Sequence, residues 1–270
     1  MASDRMSAQG GGGRRRQRRL APLVMALLLA IGLALAPSAS AQMPGMPEDM
    51  GNMKEMRWGK ALFVLLDELE YAPGNAQRPV NLDGRMWYGG AYQRLWVRAE
   101  GEQTTALGDN VGEGEAQVLY GRLIDPFWDA VVGVRVDRSW GHESDGRVHL
   151  AVGLLGLAPY RFELEPTIFV STEGDVSARI EAEFPVLITQ RLIAEPVLEV
   201  NAALQGVPRF GVRSGLNDYE LGLRVRYEII REIAPYVGWS RTRRFGGGDS
   251  AEGEGVSSDN QLVVGLRLWR

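Results

Sequence analysis

Five methionines lie close together in the segment QMPGMPEDMGNMKEM, which spans residues 42–56. They recur every three or four residues among Pro, Gly and acidic residues, a composition that cannot build a hydrophobic core. Thioether sulfur is a weak ligand for most biological cations but suits Cu(I), and a mobile segment can wrap several sulfurs around one ion. The segment therefore predicts either a copper tether or a flexible tail in which methionine is incidental. The candidate ligands are Met43, Met46, Met50, Met53 and Met56.

Other residues that could do chemistry are sparse. The chain has no cysteine, which excludes a disulfide scaffold and a thiolate metal site. Its two histidines, His142 and His149, are too few for a histidine-rich site. Ser139 and Ser144 lie near His142 in a predicted loop, but no Gly-x-Ser-x-Gly, His-Glu-x-x-His or phosphate-loop motif accompanies them. We therefore expect that the protein is not an enzyme.

The first 41 residues have the form of a secretory signal. A run of arginines precedes an apolar stretch from Leu20 to Ala36, and Ala39-Ser40-Ala41 supplies the small residues that a signal peptidase needs. An uncleaved anchor is the alternative, but the stretch is short for ~30 Å of hydrocarbon and ends at a proline. We predict a signal peptide over residues 1–41 and a Met-rich periplasmic tail over residues 42–58.

The charge of the chain limits its partners. The 270 residues carry a formal net charge of −4, and the part after residue 41 is more acidic because the leader holds many arginines and a single acid. Proteins that bind nucleic acid neutralise its phosphates with Lys and Arg. A net-negative body with no basic block therefore argues against nucleic acid and favours cations as partners.

From about Trp58 onward, apolar and polar residues alternate with period 2, which indicates β-strands. Several alternating segments run ten or more residues, and one face is densely charged with both signs. Strands of this length cross a bilayer when tilted, whereas strands of a soluble β-sandwich, the alternative fold, are usually shorter. Tyr219 and Tyr227 are eight residues apart on one apolar face, roughly 27 Å along the strand, a spacing typical of two aromatic girdles.

These patterns predict an all-β protein, a transmembrane antiparallel β-barrel in the outer membrane, over residues 59–270. Ten strands can be counted, and twelve is the alternative if the segment 60–70 is a strand and one more has been missed. An even number places both ends on the periplasmic side, where such barrels have short turns. The ten predicted strands are 85–99, 114–123, 127–138, 147–157, 159–170, 175–187, 190–202, 217–230, 233–244 and 259–269.

If the apolar faces contact lipid, the charged faces line the interior of the barrel. A narrow barrel can be filled by paired Arg and Glu side chains, since each buried charge needs a partner. Conduction or binding of ions is the alternative role for these charges. The residues predicted to point inward are Arg94, Arg98, Asp129, Arg135, Asp137, Arg161, Glu163, Glu165, Arg179, Glu181, Glu183, Glu195, Glu199, Glu220, Arg224 and Arg226.

Long ordered blocks of the chain resemble the copper resistance protein B family of bacterial outer membranes. The blocks include LLDELEY at 65–71, VLYGRLIDPFWDAVVGVRVD at 118–137 and SGLNDYELGLRVRYEIIREIAPYVGW at 214–239. The resemblance implies an outer-membrane barrel involved in copper tolerance, with a Met-rich and often His-rich N-terminal region that binds copper. By position it places the thioethers at the five methionines named above. Because that region has no His here, Cu(I) is favoured over Cu(II).

The expected function is therefore binding and sequestering of copper by the methionine cluster, with assistance in its export. The expected partners are copper ions, outer-membrane lipid and periplasmic copper-handling proteins. The alternative is a general outer-membrane channel, or a structural barrel, without metal specificity.

Overall fold

The computed structural model describes residues 60–74, 79–104, 111–141, 145–245 and 256–270. The predicted signal peptide, the predicted Met-rich tail and all five candidate methionine ligands lie outside these ranges. Among the residues that the structure describes, no helix is long and apolar enough to cross a membrane.

The described residues form β-strands joined by turns and two short 3-10 segments, Pro159–Arg161 and Pro208–Phe210. Alternating β-branched and aromatic residues favour this extended conformation. The strands are β1 Ala61–Tyr71, β2 Pro79–Gly89, β3 Gln93–Thr104, β4 Gly112–Asp125, β5 Trp128–Trp140, β6 Gly146–Ala158, β7 Phe162–Ser171, β8 Val176–Glu183, β9 Val186–Leu187, β10 Leu192–Ala203, β11 Gly215–Tyr227, β12 Ile233–Phe245 and β13 Val256–Trp269.

The strands close into one antiparallel barrel. Strands that follow each other in the chain pair with each other, and β13 returns to pair with β1. The short β9 and the longer β8 both pair with β10, so they act as one interrupted strand. Twelve strands therefore surround the interior in the part of the chain that the structure describes. The predicted all-β antiparallel barrel is confirmed, with the larger of the two strand counts.

The prediction of a single strand over 85–99 is wrong. β2 ends at Gly89 and β3 begins at Gln93, and between them the Gly90 N–H donates a hydrogen bond to the Gln93 carbonyl at 3.0 Å. Two strands thus occupy this region, because the Gly89-Gly90 pair forms a turn that interrupts the alternation. With β1 in the segment 60–70, this split raises the count from ten to twelve.

The two ends of the barrel differ in the length of their connections. At the end we call the short-turn end, tight turns such as 126–127 and 188–191 join the strands. At the opposite end, the long-loop end, lie the connection 204–214 and the strand ends that flank residues 105–110 and 246–255, which the structure does not describe. The turn 172–175 is a tight exception at the long-loop end. β1 starts and β13 finishes at the short-turn end, as the even strand number requires.

The outward surface of the barrel is apolar. At mid-height it consists of exposed aliphatic side chains, among them Val134, Val152, Ile168 and Leu223. Exposed aromatic side chains gather near the short-turn end, where a girdle at a membrane interface would lie. They include Tyr88, Tyr92, Tyr120, Phe127, Tyr160 and Tyr227, whereas the exposed Tyr71 ends β1 at the long-loop end.

Candidate functional site: the charged interior of the barrel

The first group of interior charges connects opposite walls. Arg85 on β2 and Arg98 on β3 lie side by side in the strand register. Arg98 binds Glu165 on β7 and Glu181 on β8, each at 2.7 Å between nitrogen and oxygen. Arg85 contacts Glu165 at 3.2 Å and the neighbouring Asp67 at 2.8 Å. These contacts between β2–β3 and β7–β8 run across the lumen, not along the wall.

A second group is centred on Arg179 of β8. Its guanidinium lies 2.8 Å from Glu115 and 3.2 Å from Glu100, which stand on β4 and β3. Arg135 of β5 shares Glu115 at 2.8 Å. Both arginines also lie over the ring of Phe169, with the guanidinium carbon 4.4 Å (Arg135) and 5.8 Å (Arg179) from its centroid, within range of a cation–π contact.

A third group joins β1 to β10, β11, β12 and β13. Arg224 binds Glu68 at 2.6 Å and Glu70 at 2.7 Å, and the Tyr236 hydroxyl donates a hydrogen bond to Glu70 at 3.0 Å. Three ion pairs extend the group. Arg267 binds both Asp67 and Glu195, and Arg226 also binds Glu195. The Tyr236 ring lies against Gly265, where any larger residue would displace it from Glu70.

An apolar cluster fills part of the interior between β3 and β7. It consists of inward-facing side chains that are almost fully buried, and Trp96 packs against it. The alternation pattern did not predict this cluster, because its members share strand faces with charged residues. The cluster is Leu119, Val131, Ala151, Leu155 and Phe169.

Together these groups fill the middle of the barrel. A buried charge is tolerated only when a partner and further hydrogen bonds compensate for lost hydration, and these arginines have several carboxylates each. This arrangement agrees with the sequence-based expectation that paired Arg and Glu side chains fill the interior of the barrel. It ties many of the strands to a shared ionic centre, since pairs such as Arg98–Glu165 and Arg179–Glu115 join different strands.

Carboxylates nevertheless outnumber guanidinium groups in the interior. Some inward-facing acids make no ion pair within the described ranges, although Glu220 accepts a hydrogen bond from Thr242 and Asp218 one from Asn201. Those nearest the long-loop end are Glu102, Glu113, Asp218 and Glu220. Arg244, in register with Asp218, also faces inward there, but the four carboxylates outnumber it. This surplus of negative charge favours cations over anions at this end.

No compact metal site is present in the part of the chain that the structure describes, in the sense that no three His, Asp or Glu side chains are grouped to hold an ion. His149 faces inward, with its Nδ1 3.5 Å from the Asp137 carboxylate and its ring edge-on to Phe169. His142 lies outside the described residues.

The residues predicted to point inward do so with one exception. Arg161 is exposed because it lies in the 3-10 segment before β7, with a left-handed φ of 66° that breaks the alternation. The sequence reading missed several interior charges on strands whose alternation is interrupted or ambiguous. They are Asp67, Glu68, Glu70, Arg85, Glu100, Glu115 and Arg267.

A closed antiparallel barrel with an apolar outside and an ion-paired inside has the architecture of a transmembrane β-barrel. The family model described as "Copper resistance protein B precursor" matches residues 60–270. The chain belongs to the copper resistance protein B family.

Two relatives are similar over most of the barrel. Copper resistance protein B of Escherichia coli is 42% identical over 210 residues, which are 77% of this chain and 69% of the relative. The Copper resistance protein B homolog of Pseudomonas syringae pv. tomato is 36% identical over 209 residues, with the same shares of 77% and 69%. Among solved structures, an anion-selective porin from Comamonas acidovorans is 11% identical, with a TM-score of 0.36, over 78% of this chain and 99% of the porin. At that TM-score the porin adds nothing to the fold described above.

Proposed function

We propose that this protein is an outer-membrane copper resistance barrel whose N-terminal methionines bind copper in the periplasm and assist its export. Membership of the copper resistance protein B family, with 42% identity to a curated relative, is the observation that carries the proposal. The proposed role is binding and passage of a metal ion, not catalysis.

The outer surface supports the membrane location. Long strands with exposed aliphatic side chains at mid-height and aromatic side chains toward the short-turn end suit a barrel in contact with lipid. Short turns face the periplasm in such barrels, so the short-turn end is the periplasmic end in this proposal. β1 begins at that end, and the tail at residues 42–58 precedes it in the chain.

The residue types of the tail support Cu(I) as the ion that it binds. Thioethers are soft ligands, and the tail holds five of them without a histidine or cysteine. The proposed ligands are Met43, Met46, Met50, Met53 and Met56. Periplasmic copper-handling proteins are the proposed partners for transfer.

The interior of the barrel is consistent with this role, because it disfavours free passage of solutes and favours cations over anions. Its filled centre disfavours free diffusion of solutes, and the unpaired acids near the long-loop end favour cations. A general channel without metal specificity would instead need an open lumen.

A growth experiment tests the proposal. A strain lacking its own copy of the protein is complemented with the wild type, with a variant in which all five tail methionines are leucine, or with Met86→Leu as control. Leucine keeps the size and apolar character of methionine but removes the sulfur. We expect the five-leucine variant to lose copper tolerance at unchanged outer-membrane abundance, while Met86→Leu keeps it.

Unchanged tolerance in the five-leucine variant would discard the tail as the copper ligand. If the purified protein then also conducted ions in planar bilayers without regard to copper, the general channel would be the better description.

A further inference from the structure

The outward face of β12 changes from apolar to cationic near the long-loop end. Val237 and Trp239 point outward and are 60% and 40% exposed, whereas Tyr236 and Ser240, of opposite parity, are buried. Continuing the same parity, Arg241 and Arg243 are the next outward residues. Two residues apart on one strand face, they stand about 7 Å from each other.

Polar residues of the adjacent strands flank the two arginines. Arg243 is paired in register with Tyr219 on β11 and Ser258 on β13, and Arg241 is paired with Asn260 on β13. Ser258 and Asn260 are exposed. We call these five residues the arginine patch. Toward mid-height on the same face lie the exposed apolar side chains of the outward surface.

The position of Arg243 is set by aromatic rings. Its guanidinium carbon lies 5.2 Å from the centroid of Phe245, and that ring lies 6.0 Å from the ring of Tyr219. The Arg243 Nε is buried and has no hydrogen-bond partner among the described residues. The two rings therefore hold the Arg243 side chain on the outer face of the barrel wall.

The patch differs from the interior in that its charge is not balanced. Arg98 and Arg179 each contact several carboxylates, but Arg241 and Arg243 make no ion pair within the described ranges. No acidic residue occupies an outward position of β11, β12 or β13 in the described strands. The patch therefore complements an anion that lies beside the barrel wall.

We propose that the arginine patch binds the phosphate groups of lipopolysaccharide, the phosphorylated glycolipid of the outer leaflet. The assignment rests on the outer-membrane orientation proposed above, which places the long-loop end outside. Guanidinium groups bind phosphate through two parallel hydrogen bonds, and neighbouring hydroxyl and amide groups can bind further oxygens. Acyl chains of the same molecule would lie along Trp239, Val237 and Leu262.

Binding of purified lipid A to the full-length protein in detergent tests this proposal. The test variant is Arg241→Gln with Arg243→Gln. The matched control is Arg122→Gln, because Arg122 is an exposed arginine of the outward face of β4 near the short-turn end. Each protein is titrated with diphosphorylated lipid A, with the same lipid after dephosphorylation, and with phosphatidylglycerol, and binding is followed by native mass spectrometry.

We expect the double variant to bind diphosphorylated lipid A about tenfold more weakly than the wild type. Arg122→Gln should bind as the wild type does, and the dephosphorylated lipid should bind all three proteins weakly. Equal binding by the double variant and the wild type would overturn the proposal. So would equal affinity of the wild type for dephosphorylated lipid A or phosphatidylglycerol.

Fractionation separates this result from the proposed function. If the wild type is absent from outer-membrane fractions, the proposed location fails. If it is present there, folded, and only the lipid A titration fails to distinguish the variants, the patch assignment alone is wrong.

Discussion

The inside and the outside of the barrel wall are built from the same strands but handle charge in opposite ways. On β5, Val134 faces outward and is 46% exposed, while the adjacent Arg135 faces inward and binds Glu115 and Asp137. Inside, charges lie at mid-height because partners on the same, the adjacent or the opposite strands compensate for them. Outside, the described strands place charge only toward their ends, as in the arginine patch. Lipid supplies no counter-charge, whereas the opposite wall does.

Removing one partner from the interior should have the largest effect on stability. In Arg98→Ala, Glu165 and Glu181 each lose a 2.7 Å contact to a side chain that is 4% exposed. They keep only the longer contacts to Arg85 at 3.2 Å and Arg179 at 3.5 Å, so their buried charge is less well compensated. Loss of one partner of a buried pair costs about 3–5 kcal/mol. We expect the free energy of unfolding, measured by urea titration in detergent micelles, to fall by that amount. A loss below about 1 kcal/mol would show that the interior charges are hydrated.

Placing a charge on the outer surface at mid-height should have a slightly smaller effect. We expect Val134→Arg to lower the free energy of unfolding by about 2–4 kcal/mol in lipid vesicles, the cost of an arginine at the bilayer midplane. The control is Ser258→Arg on β13 near the long-loop end, where about 0–1 kcal/mol is expected. Equal costs at the two positions would mean that the outer surface does not contact lipid.

An exposed ion pair should contribute least. Arg209 binds Asp145 at 2.8 Å and so links two connections at the long-loop end, but the Arg209 side chain is 66% exposed. We expect Arg209→Ala to change the free energy of unfolding by about 0–1 kcal/mol in the same urea titration. A loss as large as that of Arg98→Ala would remove the distinction between buried and exposed pairs.

The fold was predictable from local patterns, and the errors of the prediction were local too. Alternation identified most strands and assigned the correct face to residues such as Asp129, Glu181 and Arg224. It failed where alternation is interrupted. The turn after Gly89 changes the parity, so Arg85 faces the same way as Arg98 only after the turn is recognised. In β1, a bulge after Leu66 changes the parity, so Leu65 and Asp67 face inward before it and Glu68 and Glu70 face inward after it.

The pairing of interior charges was not predictable from one sequence. Arg98 and Glu165 are 67 residues apart, and several inward carboxylates compete for each arginine. Which pairs form depends on the strand number and the stagger of the closed barrel. For the same reason the apolar cluster around Phe169 was missed, since it forms only when β3 and β7 belong to one curved wall.

Titration of the full-length protein with Cu(I) tests the central claim most directly. The wild type and the five-leucine variant, both folded in detergent, compete for Cu(I) with a chromophoric chelator of known affinity. We expect the wild type to remove Cu(I) from the chelator and the five-leucine variant not to, while Met86→Leu behaves as the wild type. Equal Cu(I) binding by the wild type and the five-leucine variant would contradict it.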